Sequence, residues 1–116
     1  MPILLVALGG ALGAVARYLV AVAFARRLGT AWPWGTLFIN LTGCFLISVF
    51  SVRLTSDHAR YLLPVGFVGA YTTFSTYEFE TLGLLRNGQA AAALVYFAAS
   101  NLLGLVAAWL GLRLSP

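Results

Sequence analysis

Polar side chains that can bind an ion occur inside the long apolar runs of this 116-residue chain. Thr36, Asn40 and Gly43 are spaced four and three residues apart, so a helix places them on one face. An asparagine within a membrane needs hydrogen-bonding partners, because an unsatisfied amide in hydrocarbon costs several kcal/mol. Two roles remain open for Asn40: it joins two helices, or it donates its amide N–H groups to a passing anion.

The third apolar run combines residues that weaken a helix with residues that can hold ions. Two glycines stand shortly before a pair of threonines: Gly66, Gly69, Thr72 and Thr73. A helix break there would expose backbone carbonyl oxygens, which suit a small hard cation. A kink absorbed by the threonine hydroxyls is the alternative. Aromatic and hydroxyl side chains follow at once: Phe74, Ser75, Thr76 and Tyr77.

Charged residues are rare in the apolar runs. Arg17 lies within the first run, where a guanidinium either snorkels to the interface or attracts anions to an aqueous vestibule. Gly9 and Gly13 precede it at the spacing of a small-xxx-small face, which favours close helix packing. Glu78 and Glu80 resemble a helix end that meets water more than an acid/base pair.

A stripe of small and polar residues runs along the fourth apolar run. Tyr96, Ser100 and Gly104 recur every four residues, and Asn101 lies beside them. On a helix this stripe either lines a polar path or packs in a core, and the spacing leaves both open.

Catalytic machinery is not expected. His58 is the only histidine and Cys44 the only cysteine, so neither a zinc cluster nor an internal disulfide is expected. No glycine-rich phosphate loop ends in Gly-Lys-Ser/Thr, and no serine, histidine and acid converge. We therefore expect a protein that is not an enzyme.

The composition indicates an integral membrane protein. Hydrophobic residues make up 61% of the chain and charged residues 9%, against about 25% charged residues in soluble domains. So few charges cannot solvate a small globular surface, which excludes a soluble monomer and a disordered chain. The net charge of +4 comes from scattered arginines rather than a basic patch, so nucleic acid is not an expected partner.

Four apolar runs are long enough to span a bilayer, which needs about 20 residues each. They predict one all-α transmembrane domain over residues 1–116, with helices near 3–25, 34–52, 61–85 and 89–112. Three arginines fall on each side of this arrangement, or four on one side when Arg17 is counted. Because the positive-inside rule needs an imbalance, we expect dual topology and an antiparallel homodimer. A single orientation set by a weak bias is the alternative.

Three segments resemble those of the Fluc/CrcB fluoride channels: Gly9-Gly10-x-x-Gly13-Ala14-x-x-Arg17-Tyr18, Gly35-Thr36-Leu37-x-x-Asn40-x-x-Gly43-x-Phe45 and Gly66-Phe67-x-Gly69-x-x-Thr72-Thr73-Phe74-Ser75-Thr76. The resemblance spans nearly the whole chain, and the third segment is its most specific part. It implies an antiparallel, dual-topology homodimer in a bacterial inner membrane, which exports fluoride passively through two pores. It also implies a structural sodium ion, Na+, on the dimer axis.

The resemblance further assigns roles to single residues. Gly69 and Thr72 match the positions whose backbone carbonyls hold the sodium ion, and Asn40 matches the pore asparagine. The two pore aromatics correspond to Phe74 and Tyr77. Hydroxyl positions near the pore and a polar track on the fourth helix correspond to Thr36, Ser75, Thr76, Tyr96 and Ser100. Two charged positions, here assigned to the vestibule, correspond to Arg17 and Glu80.

The chain departs from the family pattern at Ala70, Tyr77 and Gly104, where glycine, phenylalanine and, in some members, serine are usual. Two other functions are alternatives to a fluoride channel. A small multidrug-type, proton-coupled cation antiporter needs a carboxylate in its first helix, where this chain has Arg17 and no acid. A non-conducting membrane scaffold would explain the glycines but not the clustered polar and aromatic residues.

Overall fold

The computed structural model describes residues 1–116, and helices account for nearly all of them. Helix α1 comprises Pro2–Leu28, and α2 comprises Trp34–Arg53. Three contiguous helical stretches, Asp57–Arg60, Tyr61–Val68 and Gly69–Tyr71, form one rod that we call α3. Helix α4 comprises Phe74–Arg86, and α5 comprises Ala90–Arg113. The prediction of an all-α protein is confirmed.

Three helices are long and apolar enough to cross a membrane: α1, α2 and α5, with 27, 20 and 24 residues. At about 1.5 Å per residue, the shortest of them matches a hydrocarbon core of about 30 Å. The third predicted span is not among these three helices, because its backbone is interrupted between α3 and α4. Neither part alone has the length of a span. The chain is a multi-pass membrane protein.

A proline widens the winding of α3. Residues Tyr61–Val68 form a π-helix, with Pro64 inside it. Proline has no N–H to donate, and its ring would clash with the carbonyl of Arg60 in ordinary α winding. A wider turn relieves that clash, and such turns are frequent at functional sites. The hydropathy of the apolar run predicted a helix here but carried no information about its π winding.

Helices α1 and α3 pack backbone to backbone. A Cβ atom on Gly9 would overlap the carbonyl oxygen of Leu62, and one on Gly13 would overlap that of Phe67. On the facing side, a Cβ on Gly66 would lie 3.1 Å from the Cα of Gly9. The predicted packing role of Gly9 and Gly13 is confirmed, since only hydrogen fits between these backbones.

Helices α2 and α5 run in the same direction and pack through a second set of small residues. The Sγ atom of Cys44 lies 3.5 Å from the Cβ position of Gly104. Further along, a Cβ on Gly111 would lie 2.5 Å from the carbonyl oxygen of Phe45 and 2.8 Å from Cβ of Ser48. Gly104 therefore lies in the packing contact with α2.

Little of the protomer is buried. Only 17 of 116 residues are buried, and the hydrophobic cluster between α4 and α5 consists of Tyr77, Leu84, Ala93 and Tyr96. Leucine, valine and phenylalanine side chains cover the outside of the helices. An outer surface of this kind suits hydrocarbon rather than water, in agreement with the composition.

Candidate functional site

The helical segment that follows α2 is interrupted at two threonines. Thr72 has φ −80° and ψ 158°, and Thr73 has φ −148° and ψ 120°, so both are extended. Helix α3 ends before them at Tyr71, and α4 begins after them at Phe74. Two helix ends therefore meet at one point, where backbone groups lose their intrahelical partners.

The side-chain amide of Asn40 binds both backbone groups of Thr73. Asn40 Nδ2 donates to the carbonyl oxygen of Thr73 at 3.0 Å, and the Thr73 N–H donates to Asn40 Oδ1 at 2.9 Å. The Asn40 amide thus pairs with Thr73 through one donated and one accepted hydrogen bond, as two backbone amides do in a β-ladder, and this pairing ties α2 to the interruption. These bonds show that Asn40 joins two helical segments, which is one of the two roles that the sequence left open. One amide hydrogen of Asn40 is left for a further acceptor.

Threonine hydroxyls satisfy the neighbouring backbone groups. Thr73 Oγ1 accepts a hydrogen bond from the N–H of Thr76 at 3.2 Å and caps the start of α4. Thr72 Oγ1 donates to the carbonyl oxygen of Val68 at 3.0 Å. The helix is thus interrupted at these residues, and the Thr73 hydroxyl satisfies one of the N–H groups at the start of α4.

Thr73 lines two cavities. The first has a volume of about 260 Å³, and its lining includes Asn40, Phe74 and Tyr77. The second has a volume of about 250 Å³, and its lining includes the predicted residues Arg17, Thr36 and Thr76. An arginine and two hydroxyl residues thus line one space with Thr73, which is suitable for a hydrated anion.

A row of five aromatic rings extends from the interruption to the α1–α2 loop. Successive centroids lie 6.0, 5.1, 5.6 and 5.9 Å apart, and every pair is edge to face; the rings are Phe74, Tyr77, Tyr96, Trp32 and Trp34. Edge-to-face pairs direct the positive ring edges at neighbours, and the rings lock one another in place.

The structure brings only some of the predicted site residues together. Tyr96 is fully buried, and its hydroxyl donates to Glu80 Oε1 at 2.9 Å. Ser100 Oγ is buried with no hydrogen-bond partner in the protomer. Phe74 is 74% exposed in the protomer, and Ser75 and Gly69 are exposed as well. A single protomer therefore does not enclose these residues in one passage.

Sequence reasoning missed the partners in these bonds. Thr73 is 33 positions from Asn40, and Asn101 is 24 positions from Tyr77, whose hydroxyl it binds. Helical spacing relates residues within one turn or two, so it carries no signal for such pairs. An isolated amide inside an apolar run was the one indication that a distant partner exists.

We expect Tyr96→Phe to destabilise the protein by about 1.5–3 kcal/mol, because Glu80 would lose a charge-assisted hydrogen bond. The measurement is the thermal unfolding midpoint of the purified protein in detergent. Tyr61→Phe is the control, since no hydrogen bond involves the Tyr61 hydroxyl. Equal midpoints for both variants would contradict a stabilising role for the Tyr96–Glu80 bond.

Comparison with known proteins gives consistent matches over almost the full length. The family model described as "CrcB-like protein, Camphor Resistance (CrcB)" matches residues 4–112. A protein of Acidobacterium capsulatum named fluoride-specific ion channel FluC is 52% identical over 117 residues, covering 97% of this chain and 94% of that protein. Proteins of the same name from Nitrobacter winogradskyi and Thermus thermophilus are each 47% identical, and the alignments cover 97% and 96% of this chain and 93% and 92% of those proteins.

The matched region, residues 4–112, contains all of the features described above: the paired α1 and α3 backbones, the interruption at Thr72 and Thr73, and the aromatic row. On the match to the family model and the identity to these relatives, the chain belongs to the CrcB family.

Proposed function

We propose that this protein is a fluoride-selective ion channel that lets fluoride leave the cell passively across the bacterial inner membrane. The observation that carries the proposal is the junction of Asn40 with the interrupted segment at Thr73, a residue that lines both cavities. The relatives named fluoride-specific ion channels support the choice of ion. The cation antiporter is not supported, because α1 carries no carboxylate.

The available groups suit a small, strongly hydrated anion. A pore for fluoride must replace the ion's water shell with several hydrogen-bond donors. Asn40 keeps one free amide hydrogen, and the aromatic row offers positive ring edges. Further hydroxyl donors are proposed along the path at Thr36, Ser75, Thr76 and Ser100. Tyr96, whose hydroxyl hydrogen is donated to Glu80, is proposed to line the path with its ring. In this proposal Arg17 raises the local concentration of anions in the vestibule, and Glu80 holds Tyr96 in place.

A second, antiparallel copy of the chain is proposed to complete the pores. The side chains of Phe74 and Ser75 are exposed in one protomer, directly beside the cavity lined by Asn40. In the proposed homodimer these residues face the other copy instead of lipid. The even distribution of arginines supports insertion in both orientations. Thr72 and Thr73 lie near the middle of the segment between Arg60 and Arg86, which supports an interruption deep in the membrane.

A structural sodium ion is proposed at the end of α3, held by the backbone carbonyls of Gly69 and Thr72. Because the helix stops at Tyr71, its last carbonyl oxygens lack intrahelical donors and form the negative end of the helix dipole. Carbonyl oxygens are ligands that hard cations prefer. Glycine at position 69 suits such a site, because an exposed backbone without a side chain lets a cation approach the carbonyl oxygen closely. When bound, this ion would add positive potential near the anion path without being transported.

Ion efflux from liposomes tests the proposed function. Purified protein is reconstituted into vesicles loaded with fluoride or chloride, with a potassium ionophore to clamp the voltage, and release is read with ion-selective electrodes. The expected result is rapid release of fluoride without release of chloride. Absence of fluoride release from folded protein would contradict a channel function and would favour the alternative of a non-conducting scaffold.

Labelling in cells tests dual topology. In a Cys44→Ser background, single cysteines are placed in the loops at opposite ends of the protomer by Thr55→Cys or Asn87→Cys. A membrane-impermeant maleimide is expected to label about half of the molecules of each variant, as an even arginine distribution predicts. Complete labelling of one variant and none of the other would establish a single orientation and exclude the antiparallel dimer.

A further inference from the structure

The hydrogen bonds of Asn101 fix the direction in which the Tyr77 hydroxyl can act. Asn101 Nδ2 lies 2.9 Å from the carbonyl oxygen of Phe97 and 3.0 Å from Oη of Tyr77. A carbonyl oxygen only accepts hydrogen bonds, so the atom facing it is the amide nitrogen. That nitrogen has two hydrogens and no lone pair to offer, so both hydrogens are used and Tyr77 Oη is the acceptor.

The Tyr77 hydroxyl therefore keeps its own hydrogen free. No acceptor for that hydrogen lies within hydrogen-bonding distance in the protomer. The side chain is only 6% exposed and is held between the rings of Phe74 and Tyr96. Tyr77 also lines the cavity of about 260 Å³ that contains Asn40. A fixed phenol with an unused donor thus belongs to a residue that lines the same cavity as Asn40.

We propose that Asn101 is a positioning residue that makes the Tyr77 hydroxyl a hydrogen-bond donor to a small anion in this cavity. The inference rests on the proposed fluoride channel and assigns part of its ion coordination to a pair of residues on α4 and α5. An oxygen that already accepts a hydrogen bond is a stronger donor, because neighbouring hydrogen bonds polarise one another. Fluoride, which is small and strongly hydrated, gains more from such a donor than chloride does.

Two substitutions separate this role from simple packing. Tyr77→Phe keeps the ring and removes the donor. Asn101→Asp keeps the shape of the side chain but presents an oxygen to Tyr77, which would then turn its hydrogen toward the carboxylate. Each variant is expected to lower the rate of fluoride efflux about tenfold, because the anion loses one good donor. The double variant is expected to be no slower than Tyr77→Phe alone, since both changes remove the same donor.

Tyr71→Phe is the matched control. Tyr71 is also 6% exposed, and its hydroxyl also forms a hydrogen bond between helices, at 2.9 Å from Thr42 Oγ1, but it does not line this cavity. We expect Tyr71→Phe to change thermal stability without changing the efflux rate. The readouts are the fluoride efflux rate and the ratio of fluoride to chloride release, measured for dimers that elute like the wild type.

Each outcome supports or overturns the proposal. Equal efflux rates for wild type, Tyr77→Phe and Tyr71→Phe would overturn it while leaving the fluoride channel in place. A further drop on adding Asn101→Asp to Tyr77→Phe would show that Asn101 does not act through the hydroxyl. Weaker dimerisation of Tyr77→Phe at an unchanged fluoride efflux rate would overturn the proposal, because it would show that the hydroxyl binds the second copy of the chain instead of the anion. Wild-type protein that releases no fluoride would remove both this proposal and the proposed function.

Discussion

Asn40→Asp is expected to reduce fluoride efflux at least about a hundredfold in reconstituted vesicles. In the wild type, Asn40 Nδ2 donates to the Thr73 carbonyl oxygen and retains one free hydrogen, which we propose is donated to the anion. The substitution replaces this nitrogen by an oxygen, which can donate nothing when ionised. Two acceptor oxygens would then face each other across the contact between α2 and the interrupted segment.

The size of the effect follows from the loss of the hydrogen bond to the anion and from a new charge repulsion. A hydrogen bond to a charged group contributes about 1.5–3 kcal/mol, and a hundredfold rate change corresponds to about 2.7 kcal/mol. A carboxylate at this cavity would additionally repel an approaching anion. Asn40→Ser, which keeps a smaller donor, is expected to give a rate between those of Asn40→Asp and the wild type.

The control for Asn40→Asp is Asn87→Asp, which makes the same chemical change at an exposed loop residue. Its efflux rate should equal that of the wild type. Thermal melting of both variants separates a loss of conduction from a loss of folding. A wild-type efflux rate for folded Asn40→Asp would show that Asn40 only joins the helices and does not contact the anion.

Gly13→Ala is expected to destabilise the protein by about 1–3 kcal/mol, the usual cost of overpacking a close contact. The added methyl would overlap the carbonyl oxygen of Phe67, which belongs to the backbone of α3 and cannot rotate away. Helices α1 and α3 would have to separate, and the interruption at the end of α3 would move with them. Intrinsic tryptophan fluorescence during heating in detergent measures the loss.

Gly10→Ala is the matched control on the same helix. Its new methyl would lie 3.9 Å from the nearest atoms, Ala70 Cβ and the Gly66 carbonyl oxygen, which is ordinary contact. Replacing a helical glycine by alanine stabilises a helix by roughly 0.5–1 kcal/mol, so this variant should melt no earlier than the wild type. Equal melting temperatures for the two variants would mean that α1 and α3 do not depend on the close approach at Gly13.

Local patterns in the sequence predicted the helical architecture. Hydropathy over about 20 residues is a property of neighbouring positions, so the apolar runs predicted the helices without knowledge of their partners. The four-residue spacing of Gly9 and Gly13 likewise predicted a packing face, and both residues are buried against α3. The π winding at Pro64 was not predicted, although the physical cause, a missing N–H, is local.

The site required the tertiary structure. The bonds between Asn40 and Thr73 and between Asn101 and Tyr77 join helices that are far apart in the chain. Which residues meet depends on how the glycine contacts set the distance and register between helices. Spacing along one helix holds no information about that register.

The sequence by itself therefore determined that this is an all-α membrane protein with polar groups inside its apolar runs, because hydrophobicity and helical periodicity are local quantities. Its motifs also led to the CrcB family, to which the chain belongs. Only the tertiary structure decided how those polar groups are used. In the folded protein, the Asn40 amide binds both backbone groups of Thr73, and the hydroxyl of buried Tyr96 binds Glu80. The hydroxyl hydrogen of Tyr77 has no acceptor. The physical reason is that a buried polar group takes whichever partner the packing brings within about 3 Å.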